Sequence, residues 1–131
     1  NAWSSGRGSS QEAVANLEKM LKDDKNLDYR DRIYYSLANI ALKNGDKAQV
    51  IENLKLSLQQ PSQNQAQRIE SYLMLAKLFY EGEDFIAAKN YYDSTLQILP
   101  QTDLRYAEVK RYSDNLTDIA KNLEIIALQD S

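Results

Sequence analysis

The chain has 131 residues, and its 16 basic and 19 acidic side chains give a net charge of −3 without a basic stripe, so nucleic acid is not an expected partner. Only 4 glycines and 2 prolines are present, which argues against a turn-rich β protein and favours helices with short connections. Histidine and cysteine are absent, which excludes nucleophilic triads, thiol chemistry and most zinc sites.

Residues 1–8 show no hydrophobic periodicity and are predicted to form a disordered lead-in. The first two residues, Asn1 and Ala2, resemble the remnant of a cleaved expression tag, in which case native flanking sequence is missing. Trp3 is predicted to pack on a neighbouring native segment and to have no function of its own.

A first helix is predicted to begin at Ser9 or Ser10. Ser9, followed three residues later by Glu12, fits a capping box in which the hydroxyl accepts from a backbone amide and the carboxylate reaches back. The polar run at 23–26 ends this helix. Apolar residues spaced three and four apart define its buried side: Ala13, Val14, Leu17, Met20 and Leu21.

The next two helices are predicted to pair around a glycine turn. The second helix runs from about Asp28 to Lys43 and ends because Gly45 takes the left-handed conformation without steric penalty. Asp46 caps the third helix, and Pro61 prevents it from continuing. The predicted apolar stripes are Ile33, Leu37, Ile40 and Ala41, and then Val50, Ile51, Leu54 and Leu58.

A second pair follows the same plan. The fourth helix is predicted from about Ser62 to Glu81, where Gly82 breaks it. Asp84 caps the fifth helix, which ends before Pro100. The predicted apolar stripes are Ile69, Tyr72, Leu73, Leu75, Ala76 and Phe79, and then Phe85, Ala88, Tyr91, Tyr92 and Leu96.

The sixth helix is predicted to be capped by Thr102 or Asp103 and to reach about Leu128. Its apolar residues alternate three- and four-residue steps and so form a heptad-like seam: Val109, Tyr112, Leu116, Ile119, Leu123 and Ile126. The seam is expected to dock on the preceding helices, with pairing to another chain as the alternative.

The two helix pairs repeat each other in sequence. Residues 37–46 and 75–84 each place Leu-Ala inside a helix, followed by a glycine turn and an aspartate cap. Lys110 stands where a third repeat would need a small residue, so the sixth helix looks like a terminal packing helix. The repeated positions resemble the motif of the tetratricopeptide-repeat (TPR) family: Ala38, Ala76 and Ala88, then Leu54 and Tyr92, Ser57 and Thr95, and Pro100, with Val50 as a looser match.

The resemblance implies an all-α fold: a TPR-type right-handed α-solenoid of antiparallel helix pairs with a long C-terminal packing helix. It implies a single TPR domain over residues 9–131, because a hairpin alone cannot bury its apolar side and stacked hairpins can. The domain would comprise a half repeat at 9–26, repeats at 28–61 and 62–100, and a terminal helix at 102–129.

The resemblance also implies a concave protein-binding surface lined by the first helix of each pair. Two tyrosines among mixed charges are typical of a surface that grips a peptide or a helix. Asn39 and Lys77 resemble part of the clamp with which some TPR domains hold a terminal carboxylate, but Tyr35 replaces a lysine that such a clamp needs. The alternative is a solvated inner face. The motif positions are Arg32, Tyr35, Asn39, Leu42 and Lys43, and then Glu70, Leu73, Lys77, Tyr80 and Glu81.

No catalytic, cofactor-binding or metal-binding residues are predicted, and the fragment is expected not to be an enzyme. The glycines form no phosphate-binding loop. The acidic residues at 23–24 and 81–84 lack calcium-loop spacing and are predicted to be helix ends and caps. The tyrosine pairs at 34–35 and 91–92 are each predicted to place one ring inward and one near the surface, where packing explains them better than a ligand platform does.

The tail at 121–131, which follows two TPR units, looks like a stretch of the large TPR lipoproteins of the type IX secretion and gliding-motility machinery of Bacteroidetes envelopes. This resemblance implies a scaffold of an envelope secretion complex, located in the periplasm and tethered to the outer membrane by a lipidated native N-terminus outside this sequence. The alternatives are a general TPR adaptor or chaperone-like peptide binder, and the regulatory arm of a larger enzyme.

A protein or peptide is therefore the expected partner. No apolar run approaches the roughly 18–20 residues that a membrane span needs. The first helix lacks a partner helix of its own, so its apolar flank predicts weak self-association at high concentration.

Overall fold

The computed structural model describes the backbone of residues 2–62 and 64–130, and the side chains of residues 10–62 and 64–123. The described backbone is helical and contains no β-strand, which confirms the all-α class. A 3₁₀ helix, Asp24–Tyr29, lies between the first two α-helices. The α-helices are α1 (Ala2–Leu21), α2 (Arg30–Lys43), α3 (Lys47–Gln59), α4 (Gln65–Glu81), α5 (Phe85–Ile98) and α6 (Tyr106–Asp130).

The chain divides into two compact units, Asn1–Gln63 and Asn64–Ser131. The first unit contains α1, the 3₁₀ helix, α2 and α3, and the second contains α4, α5 and α6. The division falls close to the predicted border between the repeats at 28–61 and 62–100. The single TPR domain and its solenoid stacking stay predictions.

The first helix starts earlier than predicted. It begins at Ala2 and not at Ser9 or Ser10, so the backbone of the predicted lead-in is helical from Ala2 onward. No proline occurs in residues 2–9, and adding a residue to an existing helix is easier than starting a new helix. Ser9 therefore lies inside α1 and not at its N-cap. The predicted packing of Trp3 lies outside the described side chains.

The 3₁₀ helix replaces the first residues of the predicted second helix, so α2 begins at Arg30 and not near Asp28. Asp23 caps this segment, because its carboxylate accepts from the backbone N–H of Lys25 at 3.0 Å. The side-chain amide of Asn26 donates to the carbonyl oxygen of Met20 at 3.1 Å, which satisfies one of the carbonyls left at the end of α1.

The turn between α2 and α3 forms as predicted. Gly45 has a φ of 75°, and its N–H donates to the carbonyl oxygen of Leu42 at 3.1 Å. The N–H of Asp46 donates to the carbonyl oxygen of Ala41 at 3.0 Å, which completes a Schellman motif. The Asp46 carboxylate then accepts from the N–H of Gln49 at 3.2 Å and caps α3. The hairpin core contains Ile33, Leu37, Ala38, Ala41, Val50 and Leu54.

The second unit uses the same turn with a different residue in the left-handed position. Its φ of 64° belongs to Glu83 and not to Gly82, whose φ is −82°. The N–H of Asp84 donates to the carbonyl oxygen of Phe79 at 2.9 Å, and the Asp84 carboxylate caps α5 as predicted. At the other end, α4 begins at Gln65 and not near Ser62, because Asn64 is its cap.

The core of the second unit is shared by α4, α5 and α6. Its buried residues come from the three helices and from the C-cap of α5, Leu99. They are Ile69, Leu73, Ala76, Ala88, Tyr92, Leu99, Val109 and Leu116. Phe79, Phe85 and Tyr112 pack against this cluster. The aromatic rings fill the space between helices, so this unit has a continuous apolar centre.

The seam of α6 is only partly buried. Val109 and Leu116 lie in the core, whereas Ile119 and Leu123 are 36% and 39% exposed. The 25 residues of α6 exceed the 14 of α5, its packing partner, so α5 cannot cover all of α6. Docking on the preceding helices is thus confirmed for Val109 and Leu116, whereas Ile119 and Leu123 keep more than a third of their surface exposed. Ile126 lies outside the described side chains.

Candidate functional site

The five positions predicted for the first repeat share one side of α2, because they are spaced three, four, three and one residue apart. We call this set the α2 face: Arg32, Tyr35, Asn39, Leu42 and Lys43. Leu42 is 45% exposed, and Arg32 and Lys43 are exposed as well. Tyr35 and Asn39 are half-buried. The exposed part of the α2 face is therefore an apolar side chain accompanied by two cations.

Tyr29, at the end of the 3₁₀ helix, extends the α2 face. The guanidinium carbon of Arg32 lies 5.7 Å from the centroid of the Tyr29 ring, within the range of a cation–π contact. Tyr29 is 51% exposed, so its ring remains accessible on one side. The place of Tyr29 on this surface could not be predicted from the sequence, because it depends on a 3₁₀ segment that has no periodic signature.

The positions predicted for the second repeat lie on α4 and differ in exposure. We call them the α4 face: Glu70, Leu73, Lys77, Tyr80 and Glu81. Lys77 and Glu81 are exposed, but Leu73 is only 6% exposed and belongs to the core. The Tyr80 ring is held edge-on against Phe85 at 5.6 Å and against Tyr112 at 5.4 Å, measured between ring centroids. Tyr80 is therefore a fixed, partly exposed ring in the α4 face.

Glu70 is engaged inside the second unit by Arg105. The Nη1 of Arg105 donates to both carboxylate oxygens of Glu70, at 2.7 and 3.0 Å. The Nε and Nη2 of the same guanidinium donate to the two oxygens of Asp103, each at 3.1 Å. This arrangement ties the α5–α6 connection to α4 and leaves Glu70 a weaker candidate for contact with a partner.

Arg105 also changes how Asp103 titrates. Its hydrogen bonds hold the pKa of Asp103 below the ordinary value of an aspartate. Hydrogen bonds to Asp103 and Glu70 raise the pKa of Arg105, so the guanidinium stays charged at any physiological pH. The role of Arg105 could not be predicted from the sequence, because Glu70 lies 35 residues away and no local pattern links the two.

A cavity of about 30 Å³ lies beside the α4 face, which is room for little more than one water molecule. A pocket for a small-molecule substrate usually needs several hundred Å³. Burial raises the pKa of the Tyr92 phenol in this lining to about 12, with smaller contributions from Tyr112 and Glu108. The lining residues are Leu73, Lys77, Tyr92, Arg105, Glu108, Val109 and Tyr112.

The acidic runs act as caps. Asp23 and Asp84 each accept a hydrogen bond from a nearby backbone N–H, as predicted. Among the side chains that the structure describes, no three acidic residues are grouped closely enough to hold a metal ion. No helix in the described part of the chain combines the length and apolar character that crossing a bilayer requires.

The tyrosine pair at 91–92 is placed as predicted. Tyr92 is buried and stacks on Tyr112 with ring centroids 5.2 Å apart, whereas Tyr91 is half-buried and stacks on Phe79 at 5.6 Å. Tyr34 and Tyr35 are both half-buried, so that pair does not divide into an inward and an outward ring. Asn39 and Lys77, the two residues that resemble part of a carboxylate clamp, belong to different units.

No protein-family model matches the chain, and no curated protein matches it at a significant level. The resemblance to the TPR family therefore depends on the repeated residues themselves.

Proposed function

We propose that the chain is a non-catalytic scaffold that binds another protein through the α2 face and the α4 face. The observation that supports this most is the shared plan of the two helix pairs. In each pair a Schellman turn is followed by an aspartate cap, Asp46 or Asp84. In each pair the first helix keeps charged side chains exposed, Lys43 on α2 and Lys77 on α4.

A TPR-type repeat is the proposed architecture. The small residues at the motif positions where paired helices touch, Ala38, Ala76 and Ala88, are at most 1% exposed. Ser57 and Thr95, the small polar residues later in the second helices, are also buried. Small buried side chains let helix backbones approach closely, which is what a stack of helical hairpins requires.

The exposed groups indicate what kind of partner suits the α2 face. Leu42 offers apolar area, and Lys43 offers positive charge next to it. Arg32 offers a second positive charge near the start of α2, roughly 15 Å away along the helix axis. A helix or extended peptide that carries a carboxylate next to an apolar side chain, and a second carboxylate further along, would match this arrangement. The aromatic ring of Tyr29 adds rigid contact area of the type that is enriched at interfaces.

A narrower proposal is a scaffold of a bacterial envelope secretion complex, located in the periplasm at the outer membrane. It is supported only by the resemblance of residues 121–131 to the TPR lipoproteins of the type IX secretion machinery. A general TPR adaptor or peptide binder is the second candidate, and the tyrosines of the two faces favour it. A regulatory arm of a larger enzyme is the third.

Exposed lysines allow a test that leaves the core intact. The intact protein is used to capture partners from its source cells, and the capture is repeated with Lys43→Glu, Lys77→Glu and the control Lys22→Glu. Lys22 is exposed and lies outside both faces. We expect the first two changes to weaken recovery of a defined protein, because each replaces attraction with repulsion. Equal recovery by all three variants would contradict binding through these faces.

The identity of the captured protein separates the candidates. Recovery of secretion-machinery components would support the envelope scaffold. Recovery of varied client peptides would favour the adaptor, and association with a catalytic domain would favour the regulatory arm.

A further inference from the structure

A groove lies between α1 and the α2–α3 hairpin, away from the α2 face. Two hollows of about 370 Å³ and about 280 Å³ share Val14, Glu18 and Asn44 in their linings, so they form one continuous feature. We call it the α1 groove. Its size falls within the range of sites that hold a ligand or several side chains of a partner. It shares no residue with the α2 face.

The floor of the α1 groove is apolar. Val14 of α1 faces Leu37, Ile40 and Ala41 of α2 across the larger hollow. Leu37 and Ala41 are buried, and Val14 and Ile40 are half-buried. Covering the half-buried side chains would remove apolar area from water and so would favour binding.

The rim of the α1 groove is acidic and amidic. Its carboxylates are Glu18 on α1 and Asp46 at the N-cap of α3, and its amides belong to Gln11, Asn44, Gln49 and Asn53. No lysine or arginine contributes to the described lining. The Asp46 carboxylate also caps α3, so Glu18, which is exposed, is the rim charge that a partner can most readily meet.

We propose that the α1 groove binds an amphipathic segment of a partner protein, with apolar side chains on the floor and a lysine or arginine beside Glu18. The charge of the rim decides the chemistry of the occupant, because an acidic rim attracts a cation and repels a carboxylate. The proposal rests on the proposed function only in that the partner is a protein. It assigns a second surface, whose preferred charge is opposite to that of the α2 face.

The experiment is a selection of a phage-displayed library of random peptides on the whole immobilised chain. Apart from carboxylate-bearing peptides that bind the α2 face, we expect the selected pool to contain peptides that carry lysine or arginine beside apolar residues three and four positions apart. Their Kd should rise about fivefold to tenfold for Glu18→Lys, since attraction is lost and repulsion is added. Glu12→Lys is the control, because Glu12 is exposed on the same helix and does not line the groove.

A charge exchange makes the test specific. Replacing the lysine of a selected peptide with glutamate should restore binding to Glu18→Lys and weaken binding to the unaltered chain. A selected pool without cation-bearing peptides, equal Kd values of such peptides for the unaltered chain and Glu18→Lys, or no enriched peptide at all would overturn the proposal. Self-association of the chain that Glu18→Lys abolishes would also overturn it, since a second copy would then fill the groove. None of these results depends on Lys43 or Lys77, so the proposed function is tested separately.

Discussion

The Oγ of Ser57 on α3 donates a 2.7 Å hydrogen bond to the backbone carbonyl oxygen of Asp31 in the first turn of α2. Both residues are buried, at 3% and 4% exposure. The bond therefore joins the end of one helix to the start of its partner, 26 residues earlier in the chain. The small side chain of Ser57 fits this buried position, and its hydroxyl also links the two helices of the hairpin.

Ser57→Ala should lower the free energy of unfolding by about 1 kcal/mol, the typical net value of one hydrogen bond. The measurement is urea unfolding followed by far-UV circular dichroism. Stability equal to that of the unaltered chain would mean that the bond contributes nothing.

Ser71 is the matched control, because it is a second fully buried serine without this kind of bond. Its Oγ has no hydrogen-bond partner among the described residues. Removing a buried hydroxyl that is not satisfied relieves its desolvation penalty, so Ser71→Ala should leave stability unchanged or raise it. Equal losses from both substitutions would show that packing, and not hydrogen bonding, sets the effect.

Glu83→Gly should stabilise the second unit by about 1 kcal/mol, because a residue with a β-carbon is strained at a positive φ and glycine is not. Glu83 has a φ of 64° at the end of α4. Urea unfolding again measures the change, and a loss of stability would contradict the geometry of this turn.

The glycines of the two turns provide the controls for Glu83→Gly. Gly45→Ala should destabilise by about 1 kcal/mol, because Gly45 has a φ of 75°. Gly82→Ala should be tolerated, since its φ is negative and an added β-carbon would meet the carbonyl oxygen of Leu78 at an ordinary 3.5 Å. If Gly82→Ala were destabilising and Gly45→Ala were tolerated, the positive φ angles would not lie at Gly45 and Glu83.

Ala76→Leu should cost about 1–3 kcal/mol, since a larger side chain overpacks a full core. Ala76 is 0% exposed and belongs to the core of the second unit. Ala66→Leu, at an exposed position on the same helix, should change stability by less than about 0.5 kcal/mol. Thermal unfolding of the two variants compares them, and equal stabilities would show that Ala76 has room beside it.

Stability should fall at alkaline pH because of Tyr92. The folded pKa of Tyr92 is raised to about 12 by burial, above the ordinary value of 10.0. Its contribution is complete below about pH 10 and is lost as the pH rises through about 12, because the unfolded chain releases the phenolic proton first. Urea midpoints measured across this range should fall less steeply for Tyr92→Phe. Parallel curves would mean that Tyr92 titrates normally.

Much of the fold could be predicted because its signals are local. Asp46 and Asp84 each cap a helix by accepting a hydrogen bond from the backbone N–H three residues later. The spacing of the apolar residues predicted the helices themselves. Gly45 was recognisable as a helix stop for the same reason. Gly82 was also recognisable as a helix stop, but the residue with the left-handed conformation is Glu83. The turn geometry, and not the residue type, fixes which position adopts that conformation.

The parts that escaped prediction depend on contacts distant in sequence or on segments without periodicity. The 3₁₀ helix Asp24–Tyr29 is too short to show a repeat, so Tyr29 was missed beside Arg32. The contact between Arg105 and Glu70 spans 35 residues and has no local signature. Leu73 was assigned to a surface by its motif position, whereas its burial is decided by packing against the other helices of its unit.

Site-specific photo-cross-linking from Leu42 and Ile86 tests whether the first helices of the pairs bind a partner protein. The two residues make a fair comparison because each is 45% exposed. Leu42 lies on the α2 face, and Ile86 lies on α5, outside both predicted faces. Each position in turn carries a photoreactive side chain in the intact protein in its source cells. We expect a discrete cross-linked partner from Leu42 and none from Ile86. A partner that cross-links from Ile86 and not from Leu42 would contradict binding through the first helices of the pairs.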